Sequence, residues 1–283
     1  MRIAVTGASG FLGNALLPML RAAGHTIIPI ERKTGFDIRD WGQISLVPPF
    51  DLMIHMAAQS FVPDAYKDPR SFYETNVTGT LNALEITRVH GARFIFISSY
   101  VYGHPKYMPI DEAHEVAAVN PYGQSKILGE DLCKGYSRDF GMDVIIFRPF
   151  NIYGKGQKPE FLLPKILLQA AAGGTIELFD PRPKRDYVEV HDMARAIMAG
   201  VDHQPKGCEV FNIGSGESFS TDDVMAKVQT VFNRNIEVKY LNRYRPDEIM
   251  DTVCDWSKAH RILGWQPSIS LEDGLREMAN ELL

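Results

Sequence analysis

The sequence predicts an α/β fold, a doubly wound parallel sheet followed by a smaller carboxy-terminal domain. Three observations carry this expectation. A short apolar strand runs straight into Thr6-Gly-Ala-Ser-Gly-Phe-Leu-Gly13 and then into a helix. Apolar strand-like runs alternate with helical stretches as far as Arg148, the rhythm of a parallel sheet built from crossover units. Beyond Pro149-Phe-Asn-Ile-Tyr-Gly154 that alternation breaks. The expected division is therefore a Rossmann-type domain over 1–155 and a smaller domain over 156–283, with residues 186–214 packing back onto the first.

A chain of 283 residues, 45% hydrophobic and 23% charged, is long enough to bury a sizeable core. Its net charge of −5, without an extended like-charge tract, argues against a nucleic-acid or membrane-surface partner. The three cysteines, Cys133, Cys208 and Cys254, are odd in number and scattered, so neither a disulfide framework nor a zinc site is expected. A cytoplasmic location fits them. The amino terminus lacks the layout of a secretion signal, and no apolar run reaches membrane-spanning length.

In chain order, Met1 to Val5 reads as the first strand and Phe11 to Ala23 as the first helix, closed by Gly24. Gly7, Gly10 and Gly13 let the turn between them tighten, approach a pyrophosphate and pack helix on strand, with Ser9, Phe11 and Leu12 in the same turn. This is a dinucleotide site. His25 to Ile30 is the second strand, and Glu31 at its end can accept from the adenosine ribose hydroxyls, which points to NAD. Arg32 and Lys33 beside it could pair with a 2′-phosphate, which keeps NADP open. Phe36-Asp37-Ile38 reads as a short third strand, with Asp37 reaching the adenine amino group. Phe50 to Ala57 is a buried strand whose end, Met56-Ala57-Ala58, is small enough for a cofactor to lie across. His55 reads as a packing residue. Ser71 to His90 is a long helix carrying Asn76, and Ala92 to Ile97 is another buried strand, ending in Ser98-Ser99-Tyr100. Polar residues at the carboxyl end of a parallel strand stand where open α/β sheets bind ligands.

Tyr122 and Lys126 lie four residues apart on a helix that Asn120 caps and Pro121 opens, so they share a face. Bringing a phenol of pKa ~10 to neutrality takes about 4 kcal/mol. An ammonium ~5 Å away in an effective dielectric of ~20 supplies about 3.3 kcal/mol of that. The pair thus reads as a general base or acid, with Ser98 or Ser99 holding a substrate oxygen beside the phenol. After the strand Asp143 to Arg148, the second half shows a helix near Pro159 to Ala172, a strand Thr175 to Phe179, a helix capped by Ser220 or Thr221, and an amphipathic last helix.

With these residues in place, the chain resembles the extended short-chain dehydrogenase/reductases, specifically the nucleotide-sugar epimerase/dehydratase family. The resemblance rests on Thr6 to Gly13, His55-Met-Ala-Ala58, Asn76-Val-Thr-Gly-Thr80, Ser98 to Gly103, Tyr122-x-x-x-Lys126, Arg148 to Gly154, Arg185-Asp-Tyr-Val188 and Phe211-Asn-Ile-Gly214. It implies a nucleoside-diphosphate sugar as substrate, a homodimer, and hydride transfer at C4 with Tyr122 as proton carrier, Lys126 lowering its pKa and holding the nicotinamide ribose. Counting back from Val101-Tyr-Gly, the family's catalytic Ser/Thr falls on Ser98, with Ser99 the second choice. The resemblance adds Asn76, Ile97 and Pro149 to the cofactor site. It places Ser60, Ser98, Ser99, Tyr100, Asn151, Phe161, Leu178, Arg185, Arg245 and Glu248 at the substrate, with Asn151, Arg185 and Arg245 on the diphosphate. Ser99 and Tyr100 occupy the positions where the family's 4,6-dehydratases carry acids, which argues against dehydration. A 4-epimerase is expected first, a 4-keto-6-deoxyhexose reductase as the alternative, and a non-catalytic nucleotide-binding protein or a reductase of non-sugar carbonyls as more distant readings.

Overall fold

The computed structural model describes residues 1–241, 244, 247–280 and 282. Its first half runs β1 (Arg2–Thr6), α1 (Phe11–Ala22), β2 (Thr26–Ile30), α2 (Trp41–Ile44), β3 (Leu52–His55), α3 (Val62–Lys67), α4 (Pro69–Tyr73), α5 (Gly79–Val89), β4 (Arg93–Ile97), α6 (Pro121–Phe140) and β5 (Val144–Pro149). The second half adds β6 (Asn151–Tyr153), α7 (Leu162–Ala172), β7 (Ile176–Leu178), β8 (Arg185–Glu189), α8 (Val190–Asp202), β9 (Cys208–Ile213), β10 (Ser218–Phe219), α9 (Thr221–Phe232), β11 (Val238–Tyr240), α10 (Ser257–Leu263) and α11 (Leu271–Ala279).

Six parallel strands form the central sheet in the order β2-β1-β3-β4-β5-β9. Both faces are covered, as an all-parallel sheet requires. Alternate strand residues feed two cores. Ile3, Val5, Ile95, Ile97, Ile145 and Phe147 meet α1 and α8 through Leu16, Leu20, Met193 and Ile197. Ala4, Phe94, Phe96, Val144 and Ile146 meet α5 and α6 through Leu84, Ile86 and Cys133. Val188, Met193, Ile197, Val201, Phe211 and Ile213, all from the second half, enter the first of these cores. A separate core gathers α7, α9 and α11 around Tyr153, Leu178 and Tyr187. It is accompanied by the small sheets β10-β8-β6 and β11-β7.

The chain leaves β1 toward β2 and returns to place β3 on the other side of β1. That reversal opens a crevice at the carboxyl ends of β1 and β3, the place where such sheets take a ligand. Among the described residues no helix is long and apolar enough to cross a membrane.

Two expected elements differ. Phe36 to Ile38 forms no strand, because its backbone is engaged by side chains: the Asp37 N–H donates to Gln43 Oε1 at 2.7 Å, and the Ile38 carbonyl accepts from Asn82 at 2.9 Å. The helix expected over Ser71 to His90 is broken by a π-helical turn, Glu74–Thr78, between α4 and α5. Such wide turns commonly serve to place one side chain, here Asn76.

Candidate active site

At the cofactor end the geometry is set by backbone. Gly7 is left-handed, with φ of +69°, and a Cβ there would stand 3.0 Å from the Ala57 nitrogen. A Cβ on Gly13 would meet the Ala8 carbonyl oxygen at 2.2 Å. Gly10 caps α1 without any side-chain hydrogen bond, so the first N–H groups of a 12-residue helix face the crevice uncapped by protein side chains. Ser9 donates its N–H to Glu31 at 3.0 Å, which draws the ribose-binding candidate onto the glycine turn. Ile97 and Pro149 are buried at the strand ends, and Met56, Ala57 and Ala58 are half-buried. Arg32 and Lys33 are exposed beyond them. Hydrogen bonds from Arg39 at 2.9 and 2.6 Å hold the Asp37 carboxyl down at about 2, so it is ionised throughout the working range.

Thr6 Oγ1 accepts from the N–H of Met56 and of Ala57, both at 3.0 Å, and donates to His55 Nδ1 at 2.8 Å. With its Nδ1 accepting, His55 donates from Nε2 to Thr80 at 3.1 Å, and Thr80 donates to the Asn76 carbonyl at 2.6 Å. Burial pushes His55 down to about 3, so the ring is neutral and serves as a fixed brace. Asn76 corrects an expectation. Its amide accepts from the Gln59 N–H at 2.9 Å and donates to the Gln59 carbonyl at 3.0 Å and Ser125 Oγ at 2.9 Å. Both of its protons are thereby spent on tying the β3 loop to α6, and none is left for a cofactor.

Asn120 accepts from the Gly123 N–H at 2.8 Å, and α6 starts there with Pro121 in its first turn. Tyr122 is half-buried, and Lys126 is buried one turn on. Burial pushes the Tyr122 phenol up, and hydrogen bonding with Ser99 opposes that rise. Lys126 is itself strongly affected by its burial. Its ammonium lies 4.4 Å from the centroid of the Phe96 ring, and burial brings it down to about 8. In the protein by itself, desolvation is thus the larger influence on the phenol and Ser99 the opposing one.

The serine assignment is also corrected. Ser98 keeps the two-residue period of Phe94 and Phe96 and points to α6, where its hydroxyl donates to Glu130 at 2.7 Å. It is 3% exposed. Glu130 is bridged by Arg148 at 2.9 and 2.6 Å, and Arg148 donates to Tyr102 at 3.0 Å. Tyr102 in turn donates to Asn212. Ser98 thus belongs to a closed, buried polar network, while hydrogen bonding with Ser99 opposes the rise of the Tyr122 phenol.

On the substrate side, Arg185 donates to Ile249 and Lys184 carbonyls at 2.6 and 2.8 Å and pairs with Glu248, so two expected substrate ligands meet each other. Asn151 donates to the Asp186 carbonyl at 3.0 Å. The rings of Phe61 and Phe161 meet edge to face at 5.4 Å, joining the β3 loop to the start of α7. Ser60 is exposed beside Phe61. Leu178 is core rather than pocket lining: it follows Ile176 inward along β7, 4% exposed, and Phe179 past the strand end is the exposed ring, under Lys165. Arg245 lies outside the described residues.

Residues 3–214 match the model of the NAD dependent epimerase/dehydratase family. The chain belongs to that family. Among its relatives, the UDP-glucose 4-epimerase of Lacticaseibacillus casei is 30% identical, covering 99% of this chain and 96% of that one. The GDP-6-deoxy-D-mannose reductase of Pseudomonas aeruginosa is also 30% identical, covering 99% and 96%. A solved UDP-glucuronic acid 4-epimerase from Bacillus cereus, in complex with UDP-glucuronic acid and NAD, superposes with a TM-score of 0.92 at 27% identity, covering 100% and 99%.

In this family member the glycine turn fits a dinucleotide: a Cβ at Gly7 would press on the Ala57 backbone and one at Gly13 on the Ala8 carbonyl, so only glycine allows a turn this tight, and Gly10 leaves the helix terminus open to a pyrophosphate. Sequence reading missed the bracing roles of Thr6, Gln59, Thr80, Ser125, Glu130 and Asn212. The Ser98 parity along β4 was the signal that could have exposed one of these networks.

Proposed function

We propose that this chain is a nucleotide-sugar enzyme acting at hexose C4, with 4-epimerisation the leading reaction. The observation that carries it is the placement of Tyr122 and buried Lys126 one turn apart on α6, with the serine pair just past the end of β4. Bound NAD supplies the two-electron hydride exchange at the sugar carbon. The positive charge of oxidised NAD, added to that of Lys126, would favour the phenolate, and in that form Tyr122 takes the C4 hydroxyl proton when that carbon is oxidised and returns it when the carbonyl is reduced. Ser99 donates a hydrogen bond where negative charge develops, and Lys126 is assigned to the nicotinamide ribose. Arg185 and Asn151 are assigned to the diphosphate, whose oxygens suit a fixed guanidinium fork. Glu31 supports NAD and hence an epimerase, which keeps its cofactor through both half-reactions.

A 4-ketoreductase is the second reading. The phenol that burial holds protonated is the form that delivers a proton to a keto oxygen, and exposed Arg32 and Lys33 suit a 2′-phosphate. Purified protein incubated with UDP-hexoses and NAD, and separately with 4-keto-6-deoxy sugars and NADPH, decides between them. Appearance of the C4 epimer without net cofactor change supports the epimerase, stoichiometric NADPH consumption supports the reductase, and neither event overturns both.

We also propose a homodimer through the outer faces of α4, α5 and α6. Leu128 and Phe140 are exposed there, beside a hollow of about 410 Å³ lined by Val77, Leu132 and Tyr136. The three free cysteines, two of them buried, fit a cytoplasmic location.

A further inference from the structure

Lys126 is 3% exposed, yet among the described residues its ammonium meets no carboxylate and no hydrogen-bond acceptor. What it meets is the face of Phe96, 4.4 Å from the ring centroid. That ring is fully buried and fixed from two sides. His55 of β3 is stacked alongside it, 5.9 Å between centroids at 18°, and Gly129 of α6 makes room for its edge, since a Cβ there would stand 2.7 Å from Phe96 Cζ. The ionisable groups around the lysine are His55 on β3 and Tyr122, Glu130 and Cys133 on α6. Burial keeps His55 neutral and Cys133 as the thiol, and it pushes the Tyr122 phenol up. Glu130 is already bridged by Arg148 at 2.9 and 2.6 Å.

We infer that Phe96 is a positioning residue, whose π face holds the Lys126 ammonium charged and in place while leaving its N–H donors unspent for a ligand. The inference rests on the reading above that assigns Lys126 to the nicotinamide ribose. The negative face of an aromatic ring attracts a cation, and most strongly where water is excluded. A carboxylate in the same place would grip the ammonium through charge-assisted hydrogen bonds and compete with a ribose hydroxyl for its protons. A ring stabilises the charge without that competition. Strand parity builds the contact: the face of β4 that turns Ser98 to Glu130 also turns Phe96 to Lys126. A leucine at position 96 would fill most of the space and leave the cation with nothing to offset the water it has lost.

The test follows denaturant unfolding of the full chain from about pH 6 to about pH 10 in the wild type, Phe96→Leu and Lys126→Met, with NAD binding measured over the same range. In the wild type, the rise in stability that marks release of the Lys126 proton begins near 8. In Phe96→Leu the lysine should hold its proton about tenfold more weakly, so the rise begins about one pH unit lower. Packing lost with the ring lowers stability alike at every pH and does not move that onset. Lys126→Met, in either background, should remove the rise and so assign it to this lysine. An onset unmoved or moved upward in Phe96→Leu, or a rise that persists unchanged in Lys126→Met, overturns the inference and leaves the C4 reading standing. NAD affinity should weaken through the same onset in each protein. If the onset of stability moves and NAD affinity ignores it, the ribose assignment of Lys126 falls, while the hold of Phe96 on the charge stands. Should Phe96→Leu fail to fold, ring-fluorinated phenylalanine at position 96, which drains the π face at nearly constant shape, should move the onset in the same direction, and an onset unmoved there overturns the inference.

Discussion

Two turns at the carboxyl edge of the central sheet make an instructive pair. The glycine turn after β1 owes its shape to atoms that are missing: a Cβ on Gly13 would overlap the Ala8 carbonyl, and one on Gly7 would press on Ala57. The serine turn after β4 owes its function to where side chains point. Ser98 and Ser99 are chemically identical neighbours, yet one is locked to Glu130 beneath the sheet edge and the other meets Tyr122. Backbone sterics fix the first turn, and partner choice divides the labour in the second.

The largest effect should come from the glycine turn. Gly13→Ala forces helix and strand apart and is expected to cost about 3 kcal/mol, the upper part of the range for overpacking. A fall in melting temperature together with weakened NAD binding checks it, and an unchanged protein would break the steric half of the comparison. The serine turn should separate two kinds of loss. Ser99→Ala removes a donor aimed at developing charge and should lower kcat about 100-fold with little change in stability. Ser98→Ala should do the reverse, costing about 1 kcal/mol of stability while kcat stays within about tenfold. If the two variants exchange these effects, the assignment of Ser99 is wrong.

Lys126 gives a smaller and pH-dependent signature. Unfolded, a lysine holds its proton to about pH 10. In the folded protein burial releases it near 8. Between those values the unfolded chain binds more protons, so stability rises with pH from about 8 toward 10. Lys126→Met should flatten that rise and raise stability at pH 7 by at most about 3 kcal/mol while turnover is lost. The smallest effect is expected far from both turns: Leu128→Asp should leave the chain folded and shift the proposed homodimer toward monomer in sedimentation.

Much of this was legible in the sequence, for identifiable reasons. Glycine spacing reports a steric demand that no other residue meets, so Gly7, Gly10 and Gly13 declared their turn directly. Asn120-Pro121 announced the start of α6 because capping and proline geometry are local. The division between Ser98 and Ser99 was not legible by counting back from Val101, because the length of the turn does not say which hydroxyl leaves the sheet. Parity along β4 does. Leu178 misled for the same reason, since its strand alternates inward at that residue. The state of Tyr122 was hidden because sequence supplies the charged neighbour but not the depth of burial opposing it.

The central claim is that the Tyr122 phenol carries the C4 proton. Its most direct test is turnover of a 4-deuterated nucleotide sugar by wild type and Tyr122→Phe at equal NAD occupancy. Wild type should process C4 chemistry with the deuterium followed into epimer or cofactor, and Tyr122→Phe should fall about 100-fold or more, the contribution of a positioned proton carrier. Undiminished turnover in Tyr122→Phe would contradict the account.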